Sequence, residues 1–276
     1  MRIPHWLLAM VAGGLGSAGV CLAQAPPAAP LAVLDIMARS QQAFSYAGTD
    51  MSAKVRMELV AATGQRRTRV LTMLRRNVPG GTDQKYFLYF HEPGDVRRMA
   101  FIVWKYPERD DDRWIFIPAV NMVRRVAASD RRSSFVGSDF TYEDVSGRDL
   151  SLDTHTLLRQ ERLGDADCYV VESVPKTPAD YARKLSWIDA TTFLPRKEEY
   201  YDVHNQLQRA FTADEITEIA AADGSRVPTV VRRTMKNART GHRTEVTFAS
   251  VAYGVGLDDA IFSERSLQSP PARWIK

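Results

Sequence analysis

The sequence predicts an α+β fold that is mostly β, with few helices and a strongly curved antiparallel sheet. After residue 50 the chain is a long series of short segments separated by glycine, proline and aspartate turns, which is typical of an antiparallel meander. Apolar residues at helical spacing are scarce. Several central segments are apolar on both faces, so both faces of the sheet must be covered there. The few predicted helices cannot supply this cover unless the sheet curls around its own contents.

The first residues are typical of a secretory signal peptide, which we place at residues 1–23. Arg2 supplies a positive charge, an apolar run follows, and the segment ends in the small residue Ala23. A lipid anchor at Cys21 is an alternative, although Val20 is a poor residue before a lipidated cysteine. A retained membrane anchor is another, although the apolar run is shorter than the ~20 residues that span a bilayer. We therefore expect an exported protein.

After the signal peptide we expect an extended spacer at residues 24–30 and a single domain at residues 31–276. The spacer "QAPPAAP" is rich in proline and alanine. The remaining length suits one domain, because curved sheets reach ~200–250 residues without splitting. Only Cys168 remains after processing, which excludes an internal disulfide, and we expect it to be a small buried apolar side chain.

Positive charge is concentrated in arginine doublets. The formal net charge is +4 and the pI is about 9.1. The doublets are Arg66-Arg67, Arg75-Arg76, Arg97-Arg98, Arg124-Arg125, Arg131-Arg132 and Arg232-Arg233. Export argues against a nucleic-acid partner. Because neighbouring residues of a strand point to opposite faces, one arginine of each doublet needs an acidic partner, a sheet edge or an anionic group. The arginine doublets are therefore either solvated strand ends or part of a dedicated anion site.

The predicted elements follow one another with short turns. Residues 31–46 carry apolar side chains near helical spacing, which predicts a helix of about four turns. Residues 258–267 predict one or two further helical turns. The predicted strands are 52–60, 66–76, 84–92, 98–106, 113–120, 122–128, 155–163, 166–175, 182–190, 196–204, 207–216, 227–237 and 243–253.

The sequence offers little for metal or covalent chemistry. No two histidines are spaced i, i+4 on a predicted helix, and no glycine-rich phosphate loop is present, so we expect no metal site and no cofactor. Asp139, Glu143 and Asp144 lie in one short stretch, as a pair of catalytic carboxylates in a glycosidase requires. Carboxylates beside arginine doublets more often form structural ion pairs or helix caps. We therefore predict that the protein is not an enzyme, with a hydrolase as the alternative.

The order of several motifs resembles the exported family of outer membrane lipoprotein-sorting proteins. The motifs are "DDRWIFIPAV", "RRVA", "SDRRSSFVGSDFTYEDV", the strand with Tyr181, Arg183, Trp187 and Asp189, and "RKEEYYD". That family is similar to the LolA and LolB lipoprotein carriers and to the sensor domain of RseB. The resemblance implies an unclosed β-barrel of LolA-like fold with an apolar cavity between sheet and helices.

The resemblance also implies a function. We expect a periplasmic carrier that shelters the acyl chains of a lipid or lipoprotein on the way to the outer membrane, with an inner-membrane transporter complex of the RND type as a partner. Its membrane contact would be peripheral and transient. An RseB-like sensor that binds an inner-membrane protein is the alternative.

Two sets of residues are candidates for the cavity and its cover. The predicted cavity residues come from strands that are apolar on both faces, and they are Leu71, Met73, Phe101, Val103, Trp114, Phe116, Leu185 and Trp187. Ordinary core packing is the alternative for each. The predicted lid comprises Phe135, Gly137, Asp139, Phe140, Tyr142 and Asp144. In the lid, the aromatic rings would plug one rim, glycine would allow a bend, and the carboxylates would bind backbone or arginine.

Overall fold

The computed structural model describes residue 1 and residues 31–275. The chain divides into two units, Met1–Leu31 and Ala32–Lys276, and every strand belongs to the second. The predicted signal peptide and spacer lie outside the described residues, apart from residue 1. No helix within 31–275 is long and apolar enough to cross a membrane.

Within residues 31–275, the second unit contains thirteen strands, three α-helices and several 3-10 helices. The helices are α1 Val33–Ser45, α2 Tyr142–Ser146 and α3 Arg265–Gln268. In chain order the strands β1 to β13 are Asp50–Val60, Arg66–Asn77, Gln84–Glu92, Ala100–Lys105, Asp112–Ile117, Met122–Arg125, Asp153–Leu163, Ala166–Pro175, Arg183–Asp189, Pro195–Tyr201, Leu207–Ala220, Arg226–Asn237 and Arg243–Tyr253. Each lies on a segment that the turn residues predict to be a strand.

All thirteen strands form one antiparallel sheet that does not close. Its order is β6-β5-β4-β3-β2-β1-β13-β12-β11-β10-β9-β8-β7, so two meanders meet where the first and last strands pair. The edge strands β6 and β7 are consecutive in the chain. The predicted fold class, a mostly β, LolA-like unclosed barrel with a few helices, is confirmed.

The first half of the sheet is covered on both faces, as the apolar runs predict. Met73, Leu88 and Phe101 lie opposite one another on neighbouring strands and belong to the cluster that contacts α1 and α2. We call this the inner face. Their neighbours Leu74 and Phe87 belong to a second cluster, on the outer face, together with residues 255–275, which we call the C-terminal segment. Alternation along each strand separates the two clusters.

The C-terminal segment is fixed to the outer face by apolar and polar contacts. Phe262 is almost fully buried, and its carbonyl accepts a hydrogen bond from the Trp104 indole at 2.7 Å. Asp259 receives hydrogen bonds from Arg76 at 2.8 Å and from Lys85 at 2.7 Å. The C-terminal segment therefore supplies part of the cover on the outer face, for which the sequence predicts too few helices.

Helix α1 lies on the inner face, and the sheet satisfies the backbone carbonyls at its C-terminal end. The last turn of a helix leaves carbonyls without intrahelical donors. Gln84 donates to the Ser45 carbonyl at 2.8 Å, and Asn77 donates to the Tyr46 carbonyl at 2.9 Å. The buried Arg75 guanidinium also donates to the Ser45 carbonyl. These contacts fix the end of α1 against β2 and β3.

Candidate ligand cavity and its lid

The segment between the two edge strands, residues 126–152, packs on the inner face. It contains a 3-10 helix at Ala128–Arg132, helix α2, and a second 3-10 helix at Leu150–Leu152. Because β6 and β7 lie at opposite edges of the sheet, this segment connects the two edges. We call residues 133–152 the lid.

The aromatic residues of the lid are part of the inner core. The ring centroid of Phe135, which is 2 % exposed, lies 5.6 Å from that of Phe101. The Tyr142 ring lies 5.2 Å from Phe101 and 5.4 Å from Phe135. Aromatic pairs at these separations are worth about 0.5–1.5 kcal/mol beyond their burial. Phe135 and Tyr142 therefore contribute to holding the lid on the sheet.

A glycine bend and a carboxylate attach the middle of the lid to β13 and the turn before it. Gly137 has a φ of +78°, in the left-handed region that favours glycine. After this bend, Asp139 accepts hydrogen bonds from the Thr244 hydroxyl at 2.8 Å and from His242 Nδ1 at 2.6 Å. The Asp139 amide donates to the same hydroxyl at 2.9 Å. The sequence predicts backbone or arginine partners for the carboxylates of the lid. For the Asp139 carboxylate the structure shows a threonine and a histidine instead.

Asp144 both caps α2 and attaches it to β11. Its carboxylate accepts the Thr141 amide at 2.8 Å, and the Thr141 hydroxyl accepts the Asp144 amide at 3.1 Å, which is a capping box. Arg209 donates to the same carboxylate and to Asp180 at 3.0 Å. Burial acts to raise the pKa of Asp144, but the charge and hydrogen bonds of Arg209 and the hydrogen bonds with Thr141 together outweigh it, so the pKa lies below its usual range. Asp144 therefore binds both backbone and arginine.

Glu143 forms a second ion pair next to the first. It accepts from Arg148 at 3.1 and 3.2 Å, and Arg131 lies 3.4 Å away. Arg148 also donates to Asp153 at 2.9 Å. Burial raises the pKa of Glu143 although both arginines oppose the shift. The candidate catalytic carboxylates Asp139, Glu143 and Asp144 thus accept hydrogen bonds from guanidinium, hydroxyl, backbone and imidazole groups.

A cavity of about 200 Å³ lies between α1, the lid and the inner face of the sheet. Its apolar lining includes Met37, Phe44, Met51, Met73, Phe140, Val145, Phe211, Val230, Met235, Phe248 and Val251. Its charged lining is Arg75, Glu143, Asp144, Arg148, Lys184, Glu198, Arg209 and Arg233. The sequence predicts an apolar cavity, whereas the structure places ionised groups in part of the wall.

The predicted cavity residues fall in three places. Met73 lines the cavity. Leu71, Phe101 and Val103 lie in the same inner core but do not border the open space. Four residues belong to other clusters, Trp114 and Phe116 with the C-terminal segment, and Leu185 and Trp187 with Cys168 and Val170.

Strand parity explains the displacement of those four residues. Trp114 pairs with Ile102 of the outer cluster, so the side chain that faces inward on β5 is Ile115. On β9, Lys184 rather than Leu185 borders the cavity. A register assigned one residue out reverses the face of every side chain. The structure therefore places these four residues outside the cavity wall.

The lid residues are brought together at the cavity, and none of the five cationic residues in its wall is among the predicted site residues. Phe140 and Asp144 border the open space, whereas Phe135 and Tyr142 pack beside it. Arg75 and Arg233 line the cavity from β2 and β12. The signal for them was the arginine doublet within a strand, whose members must face opposite sides.

The single cysteine of the second unit is structural in its surroundings. Cys168 is 1 % exposed, and burial raises the pKa of its thiol to about 11. A thiol of this kind is mostly protonated near neutral pH and is a poor nucleophile. Within residues 31–275, no group of three or more histidine, cysteine, aspartate or glutamate side chains is arranged to hold a metal ion.

Comparison with known proteins places this fold in a family. The model of a family described as "Uncharacterized protein" matches residues 82–269, more than half of the chain. No curated protein sequence gives a significant match.

Solved structures match over nearly their whole length. A DUF1329 family protein from Desulfovibrio piger is 29% identical with a TM-score of 0.77, covering 85% of this chain and 97% of that one. An outer membrane lipoprotein-sorting protein domain, described as putative, from Vibrio parahaemolyticus is 26% identical with a TM-score of 0.76, covering 85% and 97%. A LolA superfamily protein from Nitrosomonas europaea, 20% identical with a TM-score of 0.65 over 86% and 99%, shares the fold. The resemblance to lipoprotein-sorting proteins is confirmed, and the chain belongs to the family whose model matches residues 82–269.

Proposed function

We propose that this protein is a periplasmic carrier that shelters acyl chains of a lipid or of an acylated lipoprotein between two membranes, without covalent chemistry. The observation that carries the proposal is the cavity bounded by α1, the lid and the inner face of the sheet, with methionine and aromatic side chains in its wall. Flexible methionine side chains adapt to chains of varying shape.

Transfer energetics support binding of hydrocarbon in such a space. Each methylene removed from water is worth about 0.8 kcal/mol, so even half of one chain supplies several kcal/mol before ordering costs. The cavity of about 200 Å³ is smaller than the ~300–1,000 Å³ of a pocket that holds a drug-sized ligand. A cavity of this volume takes part of one chain, and we propose that the lid or α1 moves outward to admit a complete chain.

The attachment of the lid suits such a movement. The lid is held to the second half of the sheet by side-chain contacts from Asp139 to Thr244 and from Asp144 to Arg209. It is held to the first half by its aromatic rings and by Lys105 and Arg113, which donate to the Ser146 carbonyl at 2.9 Å and to its hydroxyl at 3.3 Å. Release of these contacts would swing the lid from the sheet without breaking a strand pairing. In the proposed cycle the lid opens where the protein meets an inner-membrane transporter complex or the recipient membrane.

Two variants of one helix test the cavity. Ala43 of α1 lines the cavity, and Ala38 of the same helix is exposed to solvent. The Ala43→Trp substitution fills the space, and Ala38→Trp adds the same side chain outside it. Delipidated protein is titrated with a fluorescent fatty acid. We expect Ala43→Trp to weaken binding by about tenfold or more, equivalent to 1.4 kcal/mol, and Ala38→Trp to match the wild type.

Two results would contradict the proposal. One is a flat titration of the wild-type protein together with no co-purified lipid detected by mass spectrometry. The other is equal affinity of the two tryptophan variants, which would place the bound chain outside this cavity. Thermal unfolding of each variant shows whether loss of binding reflects loss of the fold.

A further inference from the structure

The charged groups of the cavity wall are not balanced. Five cations and three carboxylates line the space. Each carboxylate has a cation of its own: Glu143 pairs with Arg148 at 3.1 Å, Asp144 with Arg209, and Glu198 with Lys184 at 2.8 Å. The two cations that remain are Arg75 and Arg233.

The terminal nitrogens of Arg75 are satisfied by backbone, although its Nε, like that of Arg233, has no acceptor among the described residues. Its terminal nitrogens donate to the carbonyls of Ser45 and Ala47 at the end of α1. It is 3 % exposed, so it acts as a support for the helix and adds positive potential to the wall. Its role in the fold is therefore evident from its contacts.

Arg233 has no such partner. No hydrogen bond or ion pair joins it to any side chain or carbonyl within residues 31–275, and its Nε is enclosed without an acceptor. Its guanidinium carbon lies 4.7 Å from the ring centroid of Phe248 and 5.5 Å from those of Phe44 and Phe140. A buried donor without an acceptor destabilises the folded protein, and more so when the group is charged, so this arrangement favours an acceptor supplied from outside.

The surroundings of Arg233 specify the shape of that acceptor. Phe44 belongs to α1, Phe140 to the lid and Phe248 to β13, so the guanidinium lies where all three walls meet. Burial lowers the pKa of Arg233 to about 10, which leaves it charged near neutral pH. A guanidinium binds a planar carboxylate or a phosphate through two parallel hydrogen bonds, and the rings around it suit the hydrocarbon next to such a group.

We propose that the cavity selects amphiphiles with an anionic head, which is bound by Arg233 while the tail lies along the apolar wall. This rests on the proposed function and narrows its cargo. A carboxylate or a phosphate monoester meets the requirement, whereas an alcohol or an acyl group in ester or amide linkage carries no charge for the guanidinium. The cargo class is thus a free fatty acid or an acidic lipid.

Three probes of equal chain length test the selection, namely palmitate, hexadecyl phosphate and hexadecanol. We expect the wild-type protein to bind the two anions at least about tenfold more tightly than the alcohol. The Arg233→Met substitution should abolish this preference and leave hexadecanol binding unchanged. Arg232→Met is the matched control, because the side chain of Arg232 is 54 % exposed and pairs with Glu215 at 3.7 Å. A difference between palmitate and hexadecyl phosphate identifies which head is preferred.

The outcomes separate this inference from the proposed function. Equal affinity for all three probes overturns the selection and leaves the acyl-chain carrier intact, whereas binding of none overturns both. A preference that survives in Arg233→Met places the head elsewhere and overturns the assignment. If that variant does not fold, NMR of wild-type protein with palmitate labelled at its carboxyl carbon decides. A carboxylate beside Arg233 stays ionised to lower pH than a solvated one, and an unshifted titration overturns the proposal.

Discussion

Removing the ion pair between Asp144 and Arg209 tests how the lid is held on the sheet. The carboxylate caps α2 in the lid, and the guanidinium lies on β11, so the pair joins two elements that are distant in sequence. Their side chains are 15 % and 11 % exposed, respectively, so solvent screens the pair weakly. The test compares the wild type with the variants Asp144→Asn, Arg209→Met and the double substitution.

The contacts of each residue set the expected magnitudes. Asp144→Asn loses the charge-assisted hydrogen bond and weakens the cap, but Arg209 keeps Asp180 at 3.0 Å, so we expect a cost of about 2–3 kcal/mol. Arg209→Met leaves two carboxylates without their cation and should cost about 3–5 kcal/mol. The double variant should cost less than the sum by about 1–3 kcal/mol, because the second substitution removes a charge that the first left unpaired.

Urea unfolding of the four proteins at neutral pH measures this coupling. The exposed pair between Arg232 and Glu215, at 3.7 Å with both side chains more than half exposed, supplies a control cycle whose coupling should stay within about 0.5 kcal/mol. Additive costs at Asp144 and Arg209, to within about 0.5 kcal/mol, would refute the view that this pair couples the lid to the sheet.

Two further predictions concern the lid. Because the pKa of Asp144 in the folded protein lies below its unfolded value, its stabilising contribution is present above the unfolded pKa of about 3.9 and is lost as the pH falls through the folded pKa. Urea midpoints measured across the acid range should therefore fall more steeply for the wild type than for Asp144→Asn, and parallel curves would contradict this. Gly137→Ala should lower the free energy of unfolding by about 1–2 kcal/mol, because the φ of +78° at this position strains any residue with a side chain. Gly94→Ala is the control, since this position is open and has no positive φ, and it should change the free energy of unfolding by less than about 1 kcal/mol. Equal effects of the two substitutions would show that the bend at Gly137 is not strained.

Much of the fold follows from local signals in the sequence. Each strand is bounded by turn residues, and adjacent strands of an antiparallel meander pair with their chain neighbours, so most of the order of the sheet is local. The pairing of β1 with β13 is not, because it joins segments nearly two hundred residues apart. The resemblance, rather than any pattern within the strands, indicated that the two halves form one unclosed sheet.

The faces of the strands were harder to assign than their positions. Where both faces are buried, as in β5, the residue types on the two faces are alike and give no parity signal. Trp114 and Phe116 resemble cavity residues in composition, yet the outer cluster takes them. The polar partners are equally invisible in sequence, since Asp139 and His242 are joined by folding across 103 positions. The arginine doublets within strands were the one local indication that charged side chains line the cavity.

The mixture of polar and aromatic contacts under the lid bears on how a carrier can open. Buried ion pairs are close to break-even, because ions that separate regain their hydration as they lose each other. The pair between Asp144 and Arg209 therefore fixes the position of the lid without adding its full Coulomb energy to the cost of opening. Phe135 and Tyr142 behave differently, since opening exposes their apolar surface to water. In the proposed cycle that exposed surface must meet hydrocarbon from a membrane, a partner or the cargo itself, so opening is favoured where such a surface is available.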